Sequence, residues 1–179
     1  MPLEVGLAQN QPVDNSAAAL FLAETRNQLR DAVTKIEHCL AQLDDGELAQ
    51  TDPLRPNSVQ TQLLHLAGNI RQWIIAPLTG ATDQRDRAQE FASREAIPRD
   101  QLWQLFSNTL AEADAALAAC PPHRLTEPIE VQGFPTTRLG AIYDSTAHLV
   151  GHMQQIVLLT RQFRGDTYRF QWTPPPDNT

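Results

Sequence analysis

Residues 139–163 read LGAIYDSTAHLVGHMQQIVLLTRQF, and residues 57–76 read NSVQTQLLHLAGNIRQWIIA. Each is long enough for several helical turns, and each is almost empty of charge. Asp144 is the one Asp, Glu, Lys or Arg between residues 139 and 160, and Arg71 is the one between residues 57 and 76. At 100° per residue, Ile142, Leu149, Met153, Ile156 and Phe163 fall on one face of the later stretch, with His148, His152 and Gln155 on its flank. In the earlier stretch Val59, Leu63, Leu66, Ile70, Trp73 and Ile74 spread over a broad apolar face, and Gln62, His65, Asn69 and Gln72 gather on the remaining strip. A surface helix would carry more charge, so each is expected to be largely enclosed by its neighbours. Burying an unpaired polar group costs on the order of 1–3 kcal/mol. The two uncharged polar strips are therefore expected to face each other across a small polar cavity.

Two further apolar-periodic segments complete the pattern. One runs from about Ser16 to Leu43, with Leu22, Leu29, Val33, Ile36, Leu40 and Leu43 on one stripe and Glu24, Arg30, Asp31 and a solvated His38 opposite. The other opens at Pro98, carries Leu102, Leu105, Phe106, Leu110 and Leu117, and stops at Pro121 and Pro122. The segment beginning at RPNSVQ has Asn57 as cap, with Gln60 reaching back, and is expected to end near Pro77. IEVQGFPTT alternates around Gly133 and predicts a short hairpin before the last helix. The expected architecture is all-α, a four-helix bundle in one domain spanning residues 1–179, with its core at about 16–165 and an extended tail from Gly165 onward.

The chain has 179 residues, 41 % of them apolar, and a formal net charge of −7. That length buries enough surface to fold without disulfide staples. The acidic balance, with no cluster of Lys and Arg, argues against nucleic acid and against anionic lipid as partners. No apolar run reaches the roughly 18 residues of a membrane span. MPLEVGLAQNQPVDN lacks the basic start of a secretory leader. Cys39 and Cys120 form no CxxC pair. These features fit the cytoplasm. A homodimer through helix faces is compatible with the composition and not required by it.

His148 and His152, four residues apart, stack their imidazoles on one helix face and can converge on one ion, with His65 from another helix as a third ligand. Three neutral imidazoles with an open position describe a catalytic site for Zn²⁺ or a similar first-row metal rather than a closed structural one. Taken singly, each feature has a plainer explanation. Paired histidines at this spacing arise by coincidence, a lone His65 fits a core histidine bonded to a carbonyl, and His123 in PPHR reads as a loop residue. Leu149, Val150 and Gly151 separate the paired histidines, so the glutamate of an HExxH protease is missing. No Glu-x-x-His of a di-iron bundle occurs, and neither does GxSxG, a Walker loop or GxGxxG.

NSVQTQLLHLAGNIRQWI, then LTG and RDRAQEF, then HLVGHMQQIVLLTRQFRGDTYRF together resemble the DinB/YfiT-like superfamily of metalloenzymes, in a branch of unknown function. The resemblance runs from about residue 20 to 170. It implies a down-up-up-down four-helix bundle and a divalent metal, commonly Zn or Ni, on His65, His148 and His152. Two departures stand out: Gln154 precedes Gln155 where a Gly-Gln pair is usual, and ELAQTDPLRPNS lacks a tryptophan often found ahead of the second helix. Relatives of this kind include transferases of low-molecular-weight thiols, a thiol-dependent isomerase and hydrolases. The expected activity is thus a metal-dependent transfer of a small thiol cosubstrate to an electrophilic small molecule. A metal-dependent hydrolase and a non-catalytic binding bundle are the alternatives. Asn69, Gln155 and, from the RDRAQEF loop, Asp86 or Glu90 are candidates to orient ligands or substrate, although a run such as DQRDRAQE also reads as a solvated charged turn.

Overall fold

The computed structural model describes residues 16–51, 56–92 and 95–172. The stretch at 1–15, on which the expectation about a leader rests, and residues 173–179 of the tail lie outside the described residues. The long elements are α1 (Ala17–Leu40), α3 (Val59–Ile70), α6 (Arg99–Ala119) and α7 (Arg138–Arg164). A π turn (Arg71–Ile75) carries α3 into α4 (Ala76–Thr79). Short helices α2 (Asp45–Ala49) and α5 (Arg87–Ala92) lie in the connections, and a hairpin of β1 (Pro128–Val131) and β2 (Phe134–Thr137) precedes α7.

Cross-helix pairs fix the topology. Arg26 and Arg30 near the start of α1 reach Asp114 near the end of α6, so these helices run antiparallel. Asn69 meets Ser145 and Gln62 meets His152, which sets α3 antiparallel to α7. Gln60 early in α3 is tied to Glu95 and Ile97 just before α6, and Arg71 meets Glu112 further along, so α3 and α6 run parallel. The result is a down-up-up-down four-helix bundle in which α1 and α3 each pack against α6 and α7. This order has a consequence for function. Parallel neighbours cannot be joined by a tight turn, so the chain from Gly80 to Pro98 must travel back along the bundle before α6 begins. It does so across α3, bringing α5 against that helix.

The apolar stripes meet in one core. Leu29, Ile36, Leu66, Ile70, Phe106, Leu110, Leu149 and Ile156 are all essentially inaccessible. Four expected core positions differ: Val33 and Phe163 are half-buried where they pack against the cluster, and Leu105 and Trp73 depart for reasons of local geometry. Leu105 is exposed, because the buried face of α6 follows Leu102, Phe106, Leu110, Ala113 and Leu117 and leaves residue 105 at its edge. Trp73 is half-buried rather than enclosed, because it falls in the wider π turn, where Ala76 N donates to the carbonyl of Arg71 five residues back. That turn also absorbs Pro77, so the helix continues past it and stops at Gly80, whose φ of 78° provides the left-handed end.

Ser58, not Asn57, caps α3: its Oγ accepts from Thr61 N at 3.0 Å. Gln60 does not reach back. It is buried and clamps the returning chain, donating to Glu95 O at 2.9 Å and accepting from Ile97 N at 2.8 Å. The expected enclosure holds for α3 and fails for α7, where Tyr143 and Leu158 are more than half exposed. Scarce charge on α7 reflects an outer face built from Ala, Gly and Gln instead of burial. His38 is half-buried rather than solvated, with Nε2 2.6 Å from Arg169 O, and Arg161 stacks over Tyr168 and Phe170 of the segment after α7.

Arg26 grips Asp114 with both Nε (2.8 Å) and Nη2 (2.9 Å), and this bond, then the charge of Arg26 and Arg30, outweighs partial burial and holds the Asp114 carboxyl below its usual value. A depressed carboxyl contributes stability above its unfolded pKa of about 3.9 and loses it as pH falls through the lower folded value. Asp114→Asn is therefore expected to lower stability at pH 7 by at most about 1 kcal/mol, with the gap from the parent closing in strong acid. Denaturant melts at pH 7 and below pH 3 check this.

Candidate metal centre

His65 sits in the middle of α3, and His148 and His152 occupy successive turns of the antiparallel α7, so the two helices bring three imidazoles together without any loop. Ring centroids of His65 lie 5.0 Å from His148 and 5.4 Å from His152, and the latter two are 4.5 Å apart. One ligating atom from each falls within 4.8 Å of the others, and His65 Nε2 is 2.9 Å from His148 Nε2. These separations bracket the roughly 3.3 Å between two nitrogens on one tetrahedral ion with bonds of about 2.0–2.1 Å.

Hydrogen-bond partners behind two of the rings fix how they face one another. His152 Nδ1 is 3.1 Å from Gln62 Oε1, so its N–H donates there and Nε2 keeps its lone pair. His65 Nδ1 is 2.9 Å from Glu90 Oε2, which turns its Nε2 toward the other rings. Burial, helped by the neighbouring His148 and His65, pushes the His152 imidazole down to about 4. Burial, followed by the charges of His65 and Arg85, also lowers His148 below the ordinary histidine value. Both are neutral near pH 7, as metal ligation requires. Burial pushes the Glu90 carboxyl up, but hydrogen bonds and charge from Arg85 and His65 outweigh it and leave the carboxyl lowered.

A cavity of about 300 Å³ opens beside His65 and His148, walled by Asn69, Trp73, Gln132 and Ser145. Ser145 Oγ donates to Asn69 Oδ1 at 2.7 Å, which fixes that amide and leaves its NH₂ for the cavity. Gln132 arrives from the hairpin turn. It and Gly133 have φ of 55° and 81°, the pair of left-handed residues that a two-residue turn demands. Gln72 is buried, donates to Asp83 and accepts from Gln132 and from Arg85.

Of the residues singled out from sequence, His65, His148 and His152 come together, Asn69 lines the cavity beside them, and Glu90 lies behind His65. Asp86 is exposed and accepts from Gln89 N at 3.2 Å, so it serves the start of α5. Gln155 is exposed one turn beyond His152, and His123 is exposed on the 3₁₀ turn. Arg85, Trp73, Gln132 and Ser145 were not anticipated. Of these only Ser145, three residues before His148 on the same face, had a signal in helical spacing.

The sequence profile of a protein family of unknown function, DUF1572, matches residues 16–176. No curated protein matches. Among solved structures, a conserved protein of Enterococcus faecalis superposes with a TM-score of 0.65 at 19 % identity, over 78 % of this chain and 94 % of that one. The mycothiol-dependent maleylpyruvate isomerase superposes with a TM-score of 0.61 at 17 % identity, over 75 % of this chain and 60 % of that one, so the likeness leaves two fifths of the isomerase unmatched. At these identities the likeness carries the fold. With nearly its whole length inside the profile and its helices in the same arrangement, the chain belongs to the DUF1572 family and has the DinB/YfiT-like fold.

Proposed function

We propose that this chain is a small metal-dependent enzyme, with His65, His148 and His152 as the ligands of a Zn or Ni ion, and that it transfers a low-molecular-weight thiol to an electrophile. One observation carries the reading: three imidazoles from two helices, at least two of them neutral at working pH, converge at one point beside an open polar cavity. When bound, a divalent ion with an open position supplies the Lewis acidity that makes a thiol nucleophilic at neutral pH. The chain's own residues do the rest. The Asn69 amide, held by Ser145, offers donors to a carbonyl or carboxylate of the substrate, and Trp73 forms an apolar wall. Fold likeness to a mycothiol-dependent enzyme favours a thiol over water as the nucleophile.

In the transfer the S–H bond breaks and its proton goes to solvent, a new S–C bond forms on the electrophilic carbon, and that carbon's bond to its leaving group breaks, the leaving group departing with the bonding electron pair. Untagged protein prepared without chelator is expected to carry about one divalent ion per chain by elemental analysis. Incubated with a small thiol and an electrophile, it is expected to form the thioether faster than the uncatalysed pair, and chelation should abolish that excess. Turnover of an ester or amide without thiol would instead identify a hydrolase. Metal-free preparations, or no effect of chelation, would leave only a binding bundle.

A further inference from the structure

Beneath His65 lies a buried ion pair that metal ligation alone does not explain. Arg85 and Glu90 side chains are 4 % and 9 % exposed, although they belong to the connection that the charge pattern marks as a solvated turn. Arg85 grips the carboxylate twice, Nε to Oε1 at 2.6 Å and Nη2 to Oε2 at 2.9 Å, and its Nη1 donates to Gln72 Oε1 at 2.9 Å. Asp83 Oδ1 accepts from Arg85 N at 3.0 Å and fixes the backbone at the base of the side chain. Glu90 Oε2 faces His65 Nδ1 at 2.9 Å, while Arg85 Nη2 is 3.1 Å from the same ring nitrogen. Two donors do not bond each other. With Nδ1 protonated, the ring proton goes to Glu90, and Nη2 of the guanidinium serves the carboxylate rather than the ring.

The pair fits there because residue 68, one turn after His65, has no side chain. A Cβ on Gly68 would lie 2.0 Å from Glu90 Oε1 and 2.9 Å from Arg85 Nε. Glycine costs a helix interior about 1 kcal/mol against alanine, and the three atoms nearest such a Cβ all belong to this ion pair. The close approach of the ion pair is the reason for the glycine.

We infer that Arg85 and Glu90 are positioning residues that hold His65 with its proton on Nδ1 and its Nε2 toward the other imidazoles, and that Gly68 is the gap that admits them to α3. The returning connection is thereby part of the metal centre. This inference rests on the proposed metal reading and adds to it. An outer carboxylate on a ligating imidazole is worth about 10- to 100-fold in metal affinity.

Titration of the full chain with Co²⁺, followed by its visible bands, tests this. Glu90→Gln and Gly68→Ala are each expected to weaken Co²⁺ binding about 10- to 100-fold and to shift the bands. The double variant should lose little more than either single one, because both remove the same contact. Gly151→Ala, where a Cβ meets nothing within 4 Å, makes the same exchange in a helix and should bind as the parent does. Melting curves confirm folding. Should Gly68→Ala not fold, Arg85→Gln takes its place in the cycle. Parental affinity in folded Gly68→Ala or Glu90→Gln, or losses that add in the double variant, would overturn the inference while leaving the metal site standing. A parent that binds no Co²⁺ would remove the metal reading itself.

Discussion

Replacing His148 by alanine is expected to abolish stoichiometric metal binding while leaving the bundle folded. His148 is half-buried at the edge of the cavity, and the core contacts of α7 come from Ile142, Leu149, Met153 and Ile156 on another face. Losing it leaves two imidazoles from different helices. The cost in affinity should exceed the roughly 10- to 100-fold attached to an outer partner. Zinc at about 100 times its dissociation constant raises the stability of a binding protein by about 2.7 kcal/mol. The parent should therefore melt higher with zinc, and His148→Ala should not respond. His65→Ala and His152→Ala are expected to behave alike. His38→Ala and His123→Ala, at a ring tied to Arg169 O and on an exposed turn, should keep the parental metal content. Equal metal in all three ligand variants and the parent would put the ion elsewhere.

What local spacing makes legible, and what it does not, divides along the same line. His65, His148 and His152 are visible in the sequence because a regular helix fixes where residues four apart point, and because α3, short of charge, is enclosed and carries an uncharged interior strip; on α7 the scarcity of charge belongs to an exposed face, and the spacing of the two histidines alone carries the reading. Asn69 follows by the same rule. Trp73 escapes it, since the π turn changes the angle per residue just where the α pattern assigns the ring to the core. Gln155 obeys the rule but lies past the end of the cavity. Glu90 and Arg85 are different in kind. Their roles depend on where a connection lands, and that is set by α3 and α6 running parallel, a property of the whole chain. A run such as RDRAQEF looks solvated until the crossover it belongs to is known. Gln132 is likewise carried to the cavity by a hairpin turn, and nothing in its neighbours in sequence indicates the distance it will travel.

Leu149→Ala is expected to give the opposite result from its neighbour, and the contrast tests whether the two faces of α7 are independent. Leu149 is inaccessible to solvent and packs in the central cluster with residues of α1, α3 and α6. Truncating a buried leucine removes its transfer energy and leaves a cavity that the surrounding helices only partly fill, at about 2–5 kcal/mol. Against a total stability of about 5–15 kcal/mol that is a large share. For a chain of this size each kcal/mol moves Tm by about 2–4 °C, so a fall of roughly 4–20 °C is expected. The rise in Tm on adding zinc should nevertheless survive, because the Nε2 atoms are held by Glu90 and Gln62 rather than by Leu149. Thermal melts with and without zinc, on both variants, separate the outcomes. If Leu149→Ala lost the zinc increment as His148→Ala does, core packing would be setting the ligand geometry, and the hydrogen bonds behind the imidazoles would not be sufficient to hold it.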